Sequence, residues 1–332
     1  MTEAALFELG RFPLASGATL PNARLVYKTY GVLAPDRSNV VLYPTSYGVQ
    51  HSDIEWLIHP ERVLDPSRYF VVIVNMFGNG LSTSPSHGVA GSWAVTHHDN
   101  VAAQLRLLRD VFGVERLALV YGWSMGAQQA YHWGVLHPDR VARIAALCGT
   151  ARTREHNTVF LRSLQAALHA DPCWDGARFV GTPERGLKAF ARIYASWAAS
   201  QAFYRERLYL KLGYEGLEDY LTRAWEPSYR RRNPLDLLAM LETWLACDVA
   251  HGPTHQGDLA AALASIRART LVMPSSSDLY FTPEDCAADA ASIPGAELRV
   301  IPSIWGHRAG NPYQNPEDMQ FIRAAVAELL SS

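Results

Sequence analysis

Residues 69–75, YFVVIVN, are apolar almost without interruption. A strand that reads this way is buried on both faces, which antiparallel surface sheets do not require but parallel sheets covered by helices do. Similar short runs recur along the chain: residues 24–30, NVVLY (39–43), RLALVY (116–121), ARIAALC (142–148), RTLVMP (269–274) and ELRVIP (297–302). Helical patterns separate them. Val101, Leu105, Leu108 and Phe112 repeat at the spacing of one helix face, and Thr96 with Asp99 three residues on has the form of a capping box. A second helix is expected after residue 124, ending near His137 and Pro138. The last is expected to begin at Asn315–Pro316, with Phe321, Ala325 and Leu329 as its apolar stripe. Strand and helix in alternation predict an α/β fold, a mostly parallel sheet flanked by helices. The alternation breaks between residues 152 and 261, a stretch rich in Arg, Ala, Leu, Tyr and Trp with no convincing strand. The expected organisation is therefore one core, residues 1–151 and 262–332, interrupted by a helical insertion at 152–261.

Composition narrows the function classes. The 332 residues carry 30 Lys and Arg against 32 Asp and Glu, a formal charge of −2. A nucleic-acid binder would ordinarily show a basic balance, so no nucleic-acid partner is expected. Cys148, Cys173, Cys247 and Cys286 are far apart and form no CxxC pair, so neither a disulfide framework nor a zinc site is implied. The first residues, MTEAALFELGRFPL, lack the apolar stretch of a signal peptide, and no run of about 18 apolar residues suggests a membrane span. A cytoplasmic location without membrane association is the resulting expectation. The arginines at 230–232 read as a solvated face.

The segment LALVYGWSMGAQQAYHW carries the chemistry. Gly122-Trp123-Ser124-Met125-Gly126 is a GxSxG match between an apolar strand and a helix-forming run. A sharp strand-to-helix turn there lifts the serine hydroxyl out at the carboxyl end of the strands, and the flanking glycines permit the close packing that the turn requires. The helix start beneath it favours developing negative charge. A serine nucleophile needs a base, and the base an orienting acid. In chain order after Ser124, Asp278 follows the strand RTLVMP and His307 follows ELRVIP, so both fall in loops at the same sheet edge. Glu284 and Asp285 are weaker acid candidates because they belong to the next helix. His251 and His255 precede the penultimate strand and read as loop residues. The oxyanion hole should use the Met125 N–H with a second donor from the loop 44–48, Thr45 first and Ser46 second.

Competing motifs are weak. Gly78-Asn79-Gly80 could open a dinucleotide fingerprint with Asp99 beyond it, but Thr83 stands where the third glycine belongs. There is no P-loop and no HExxH, and the His251–His255 spacing is broken by Gly252 and Pro253, so neither cofactor nor metal is expected. Tyr194, Trp197, Tyr204, Trp225 and Trp244 of the insertion read mostly as packing, with a share lining a tunnel over Ser124.

Taken together, RYFVVIVNMFGNGLSTSP, GWSMGAQQAYHW, SSDLYFTPE and the Gly306-His307 pair make the chain resemble the homoserine O-acetyltransferase-like group of the α/β-hydrolase superfamily. That resemblance implies Ser124 as nucleophile, Asp278 as acid and His307 as base. It also implies a helical lid that makes a homodimer contact. Departures point to the substrate. Where the transferases carry GHDAFL, this chain has Gly306-His307-Arg308-Ala309-Gly310, placing an arginine where the family's aspartate meets the homoserine amine. The lid signature RFDANSY has only Arg231-Arg232-Asn233-Pro234-Leu235 near it, and GGSMGG has become GWSMGA. Loss of the ammonium acceptor disfavours homoserine, because an unpaired buried charge is costly. The expectation is a small-molecule ester substrate and a serine esterase for short acyl groups such as acetyl, with Ser46, Trp123 and Arg308 as substrate contacts. Transfer of an acyl group from acetyl-CoA to homoserine or a related alcohol is the alternative.

Overall fold

In the computed structural model, which describes residues 3–88 and 93–331, eight strands form one sheet. They are β1 (Ala5–Pro13), β2 (Thr19–Tyr30), β3 (Val40–Pro44), β4 (Phe70–Val74), β5 (Leu119–Trp123), β6 (Arg143–Leu147), β7 (Arg269–Met273) and β8 (Glu297–Leu298). Their order is β1-β2-β4-β3-β5-β6-β7-β8. The pairs from β4–β3 through β7–β8 are parallel, and β1–β2 and β2–β4 are antiparallel. Every residue of β3 and β4 is buried, as the unbroken apolar runs required. β1 was not legible in the sequence. Its residues alternate exposed and half-buried, and register shifts at Glu8–Gly10 and Gly10–Phe12 interrupt the period. The run 297–302 pairs regularly only at Glu297 and Leu298, then meets β7's extension once more at Ser275–Ile301. Pro302 ends it, since proline cannot donate to a ladder.

The helices obey their expected signals with local shifts. Helix His97–Phe112 starts at a Thr96–Asp99 capping box and ends at Gly113 with φ of 60°. Its buried face includes Val101, Ala103, Gln104, Leu107 and Leu108, while Leu105 and Phe112 are only half-buried. Helix Met125–Leu136 is buried almost throughout. In the last helix, Pro316–Ser331, the buried stripe is Ile322, Ala325, Val326 and Leu329, one position off Phe321. Asn315 caps it, its Oδ1 accepting the Asp318 N–H at 3.2 Å.

Between β6 and β7 the chain is helical, from Glu155–His169 through Glu184–Ala198 and Pro234–Leu245 to Leu259–Ala264, which straddles residue 261. Where it leaves and returns, the backbones bond to each other: Thr153 N–H donates to Cys247 O at 3.0 Å and Val249 N–H to Ala151 O at 3.1 Å. Asp289, fully buried, accepts from the Ala151 N–H at 2.8 Å and from Arg154 at 2.6 Å, tying the exit to helix Pro283–Ala291. The arginine run is a solvated face at two of its three positions. Arg230 is exposed, but both Arg231 and Arg232 pair with Asp53, at 2.9 and 2.5 Å, and the Arg232 side chain is 8% exposed. None of the described helices is long and apolar enough to cross a membrane.

Candidate active site

Ser124 ends β5 and starts helix Met125–Leu136, with φ 58° and ψ −126°. A non-glycine residue at positive φ costs roughly 1–3 kcal/mol and persists only where its surroundings impose it. Here the neighbours leave no alternative. A β-carbon on Gly122 would lie 2.1 Å from Gly126 O, and one on Gly126 would lie 2.8 Å from Pro44 O. The two glycines let the strand, the turn and the β3 loop meet.

His307 sits on a 3-10 turn, Gly306–Gly310, one strand beyond Asp278. Its Nδ1 lies 2.7 Å from Asp278 Oδ2, and both residues are buried. The other carboxylate oxygen of Asp278 accepts the N–H groups of Tyr280 and Phe281, each at 3.1 Å. These donors fix the carboxylate in place. The sequence analysis missed them, although an Asp whose side chain reaches the backbone two and three residues on is a recognisable turn device. Two rings pack on the imidazole: Trp123 stacks on it at 5.0 Å and Tyr280 packs at 4.4 Å. Trp123 Nε1 also donates to His307 O at 3.2 Å. His307 Nε2 is buried and has no hydrogen-bond partner. The residue before Ser124 thus braces the histidine whose second nitrogen is unoccupied.

An alignment to the family model described as the alpha/beta hydrolase fold covers residues 61–307. The chain is an α/β-hydrolase. It is 39% identical over 308 residues to a probable esterase of Corynebacterium glutamicum, covering 90% of this chain and 88% of that one. Identity is 38% to an ethyl acetate hydrolase of Pseudomonas veronii, over 98% of this chain and 95% of the relative. It falls to 31% for a homoserine O-acetyltransferase of Thermobifida fusca, over 89% and 86%. The solved structure of the acetyl esterase MekB superposes with a TM-score of 0.94 at 37% identity, covering 100% of this chain and 97% of that one.

Two sequence expectations change within this α/β-hydrolase. The Thr45 N–H donates to Val74 O at 3.0 Å, extending the β3–β4 ladder, so it is not available to an oxyanion. The next N–H along the loop belongs to Ser46, whose hydroxyl donates to Trp123 O and accepts weakly from Gly126 N at 3.4 Å. Those bonds fasten the loop to the elbow, and Arg232 Nε, donating to Gly48 O at 2.9 Å, fastens its other end. Trp123, expected to touch substrate, packs on the histidine. Arg308, expected beside the substrate, donates to Tyr220 OH at 2.7 Å and lies over the Trp305 ring at 5.4 Å. It lines a cavity of about 380 Å³ with Tyr214, Tyr220 and Trp225, none of them next to Ser124 in the chain. An aromatic face and a phenol oxygen hold its guanidinium there.

Cys148 Sγ, the Asp278 carboxylate and a His307 ring nitrogen lie within 4.8 Å of one another, a trio of metal-ligand types. The acid and the imidazole are already bonded to each other. Burial pushes the thiol well up, which keeps Cys148 protonated.

Proposed function

We propose that this α/β-hydrolase is a carboxylic ester hydrolase for short acyl, above all acetyl, esters. The observation that carries this reading is a buried imidazole with one nitrogen on a fixed carboxylate and the other unpartnered, braced by the residue preceding a strained GxSxG serine. The esterase and ethyl acetate hydrolase relatives at 38–39% identity support the substrate class. In this reading His307 takes the Ser124 proton and Ser124 Oγ bonds to the ester carbonyl carbon. The oxyanion rests on the N–H of Met125, free of an intrahelical partner at the helix start, and on the N–H of Ser46. His307 then returns the proton to the departing alcohol oxygen. Water, deprotonated by the same histidine, cleaves the acyl-enzyme. Asp278 keeps the Nδ1 tautomer and stabilises the imidazolium.

Within the same proposal, residues 152–261 act as a lid over a core formed by 1–151 and 262–332. Val159, Val180, Leu210 and Leu217 expose apolar surface on that segment, which supports a homodimer through the lid. Gel filtration with light scattering tests it, and a monomer at micromolar concentration rejects it.

The activity test compares ethyl acetate hydrolysis with CoA release from acetyl-CoA in the presence of homoserine. Ester hydrolysis that vanishes in Ser124→Ala is expected. Homoserine-dependent CoA release with negligible ester cleavage would establish the transferase instead.

A further inference from the structure

Three tyrosines from separate parts of the chain meet beside the imidazole. Tyr280 lays its ring 4.4 Å from that of His307. Tyr194, from helix Glu184–Ala198, stands edge-on to Tyr280 at 6.4 Å and stacks on Tyr47 at 5.8 Å. Tyr229, from helix Glu226–Arg230, packs on Tyr194 at 5.0 Å. It also covers the β3 loop, since a β-carbon on Gly48 would come within 3.8 Å of its Cε1. The three therefore bridge from the triad histidine to the loop that carries Ser46, and all are buried.

Their polar ends are unusual for such a place. The surrounding side chains are apolar rings: Phe160 stacks on Tyr280 at 4.9 Å and Trp244 stands 5.8 Å from it. The Tyr47 hydroxyl is committed to Leu237 O at 3.0 Å. The Tyr280 hydroxyl is buried and has no hydrogen-bond partner. An unpaired buried hydroxyl is costly, and substrate is a natural partner for one beside the reacting centre. Burial pushes the hydroxyls of Tyr194, Tyr229 and Tyr280 far up, so all three stay protonated donors. The charges nearest to Tyr229 on its own segment, Arg231 and Arg232, are both paired with Asp53.

We propose that the hydroxyls of Tyr280, Tyr194 and Tyr229 form the subsite for the alcohol arm of the ester, and that this subsite selects an alcohol bearing its own oxygen acceptor, as in an ether, a hydroxyalkyl or a ketone group. The inference rests on the esterase reading. The departing oxygen must lie against His307 Nε2 to receive its proton, so the alcohol arm runs beside the ring that Tyr280 covers. An all-alkyl arm leaves the Tyr280 hydroxyl unpaired.

The test uses a size-matched pair, 2-methoxyethyl acetate and butyl acetate, which differ by one oxygen in place of a methylene. A site built to bond a substrate oxygen rejects the analogue without it, here by about tenfold or more in kcat/KM. That preference is expected to fall several-fold in Tyr280→Phe and in Tyr229→Phe, which keep the rings and the packing. Tyr313→Phe, on the exposed surface, is expected to leave both rates unchanged. A ratio near one in the wild type, or one that persists in the Tyr280, Tyr229 and Tyr194 variants, overturns the subsite while leaving the esterase reading intact. If neither acetate is cleaved, the esterase reading fails and the subsite with it.

Discussion

Histidine is buried in two regions of this molecule, with opposite consequences. At the carboxyl edge of the sheet, His307 has a carboxylate on Nδ1 and aromatic rings packed against it. Between helices His97–Phe112 and Met125–Leu136, His97 and His132 are equally buried, but their bonds go to Gln128: His97 Nε2 to its Oε1 at 3.2 Å and His132 Nδ1 to its carbonyl at 2.7 Å. His98 and His251 extend that second group toward the surface, with ring centroids 4.9 Å (His98–His132) and 6.3 Å (His98–His251) apart. Burial pushes His97 down to about 4 and His132 well below the ordinary imidazole range. Burial without an acid silences an imidazole. The same burial with an acid on one nitrogen fixes the ring's tautomer and orientation.

The largest expected effect is at the proposed nucleophile. Ser124→Ala should lower kcat by about 10⁶-fold, the scale seen when a triad serine is lost, measured as acetate release from ethyl acetate. A residual rate within tenfold of wild type would remove Ser124 from the chemistry. Next, Asp278→Asn should reduce kcat by about 10⁴-fold. Its remaining oxygen can still accept the Tyr280 and Phe281 N–H groups, so circular dichroism should report an intact fold. By contrast, His132→Gln in the other cluster should leave kcat within about twofold and alter only stability. A catalytic collapse there would erase the distinction between the two regions.

The second cluster should also set a pH limit. His97 has a folded-state value below its unfolded one, so its contribution is fully present above about 6.5 and is lost as pH falls toward 4. The loss amounts to roughly 3 kcal/mol at its lower end. Urea unfolding at pH 7, 5.5 and 4.5 should show wild type losing more stability than His97→Gln. Parallel slopes would assign the acid sensitivity elsewhere. A further effect concerns the loop clamp. Arg232→Met removes the bond to Gly48 O and should lower kcat by about tenfold with little change in KM, since the loop's donor would be less well placed in the transition state. An effect on KM alone would move Arg232 from positioning the oxyanion loop to binding substrate.

Much of the core was legible because its constraints are local. Unbroken apolar runs demand a sheet covered on both faces, Thr96 and Asp99 cap a helix wherever they fall three apart, and glycines around Ser124 mark a turn that no β-carbon can enter. Chain order alone put Asp278 and His307 in loops at one edge, and they meet there at 2.7 Å. β1 escaped because its bulges break the two-residue period. Of the last helix's expected stripe, Ala325 and Leu329 are buried, while Ile322 takes the place of Phe321 because the precise helix rotation is set by what lies beneath it.

What only tertiary structure decided were the partners of groups that look alike in sequence. Thr45 and Ser46 are adjacent small polar residues in one loop, yet the β3–β4 ladder takes the N–H of the first. Arg308 adjoins the histidine in sequence, but Tyr220, 88 positions away, holds its guanidinium. Arg231 and Arg232 face Asp53 across 178 and 179 positions of chain, a pairing no local pattern encodes. Sequence determines backbone conformation and which faces are apolar, because those depend on neighbours a few residues apart. Hydrogen bonds and ion pairs depend on which distant groups arrive at bonding distance, and that is settled only when the sheet and the helices between β6 and β7 have packed.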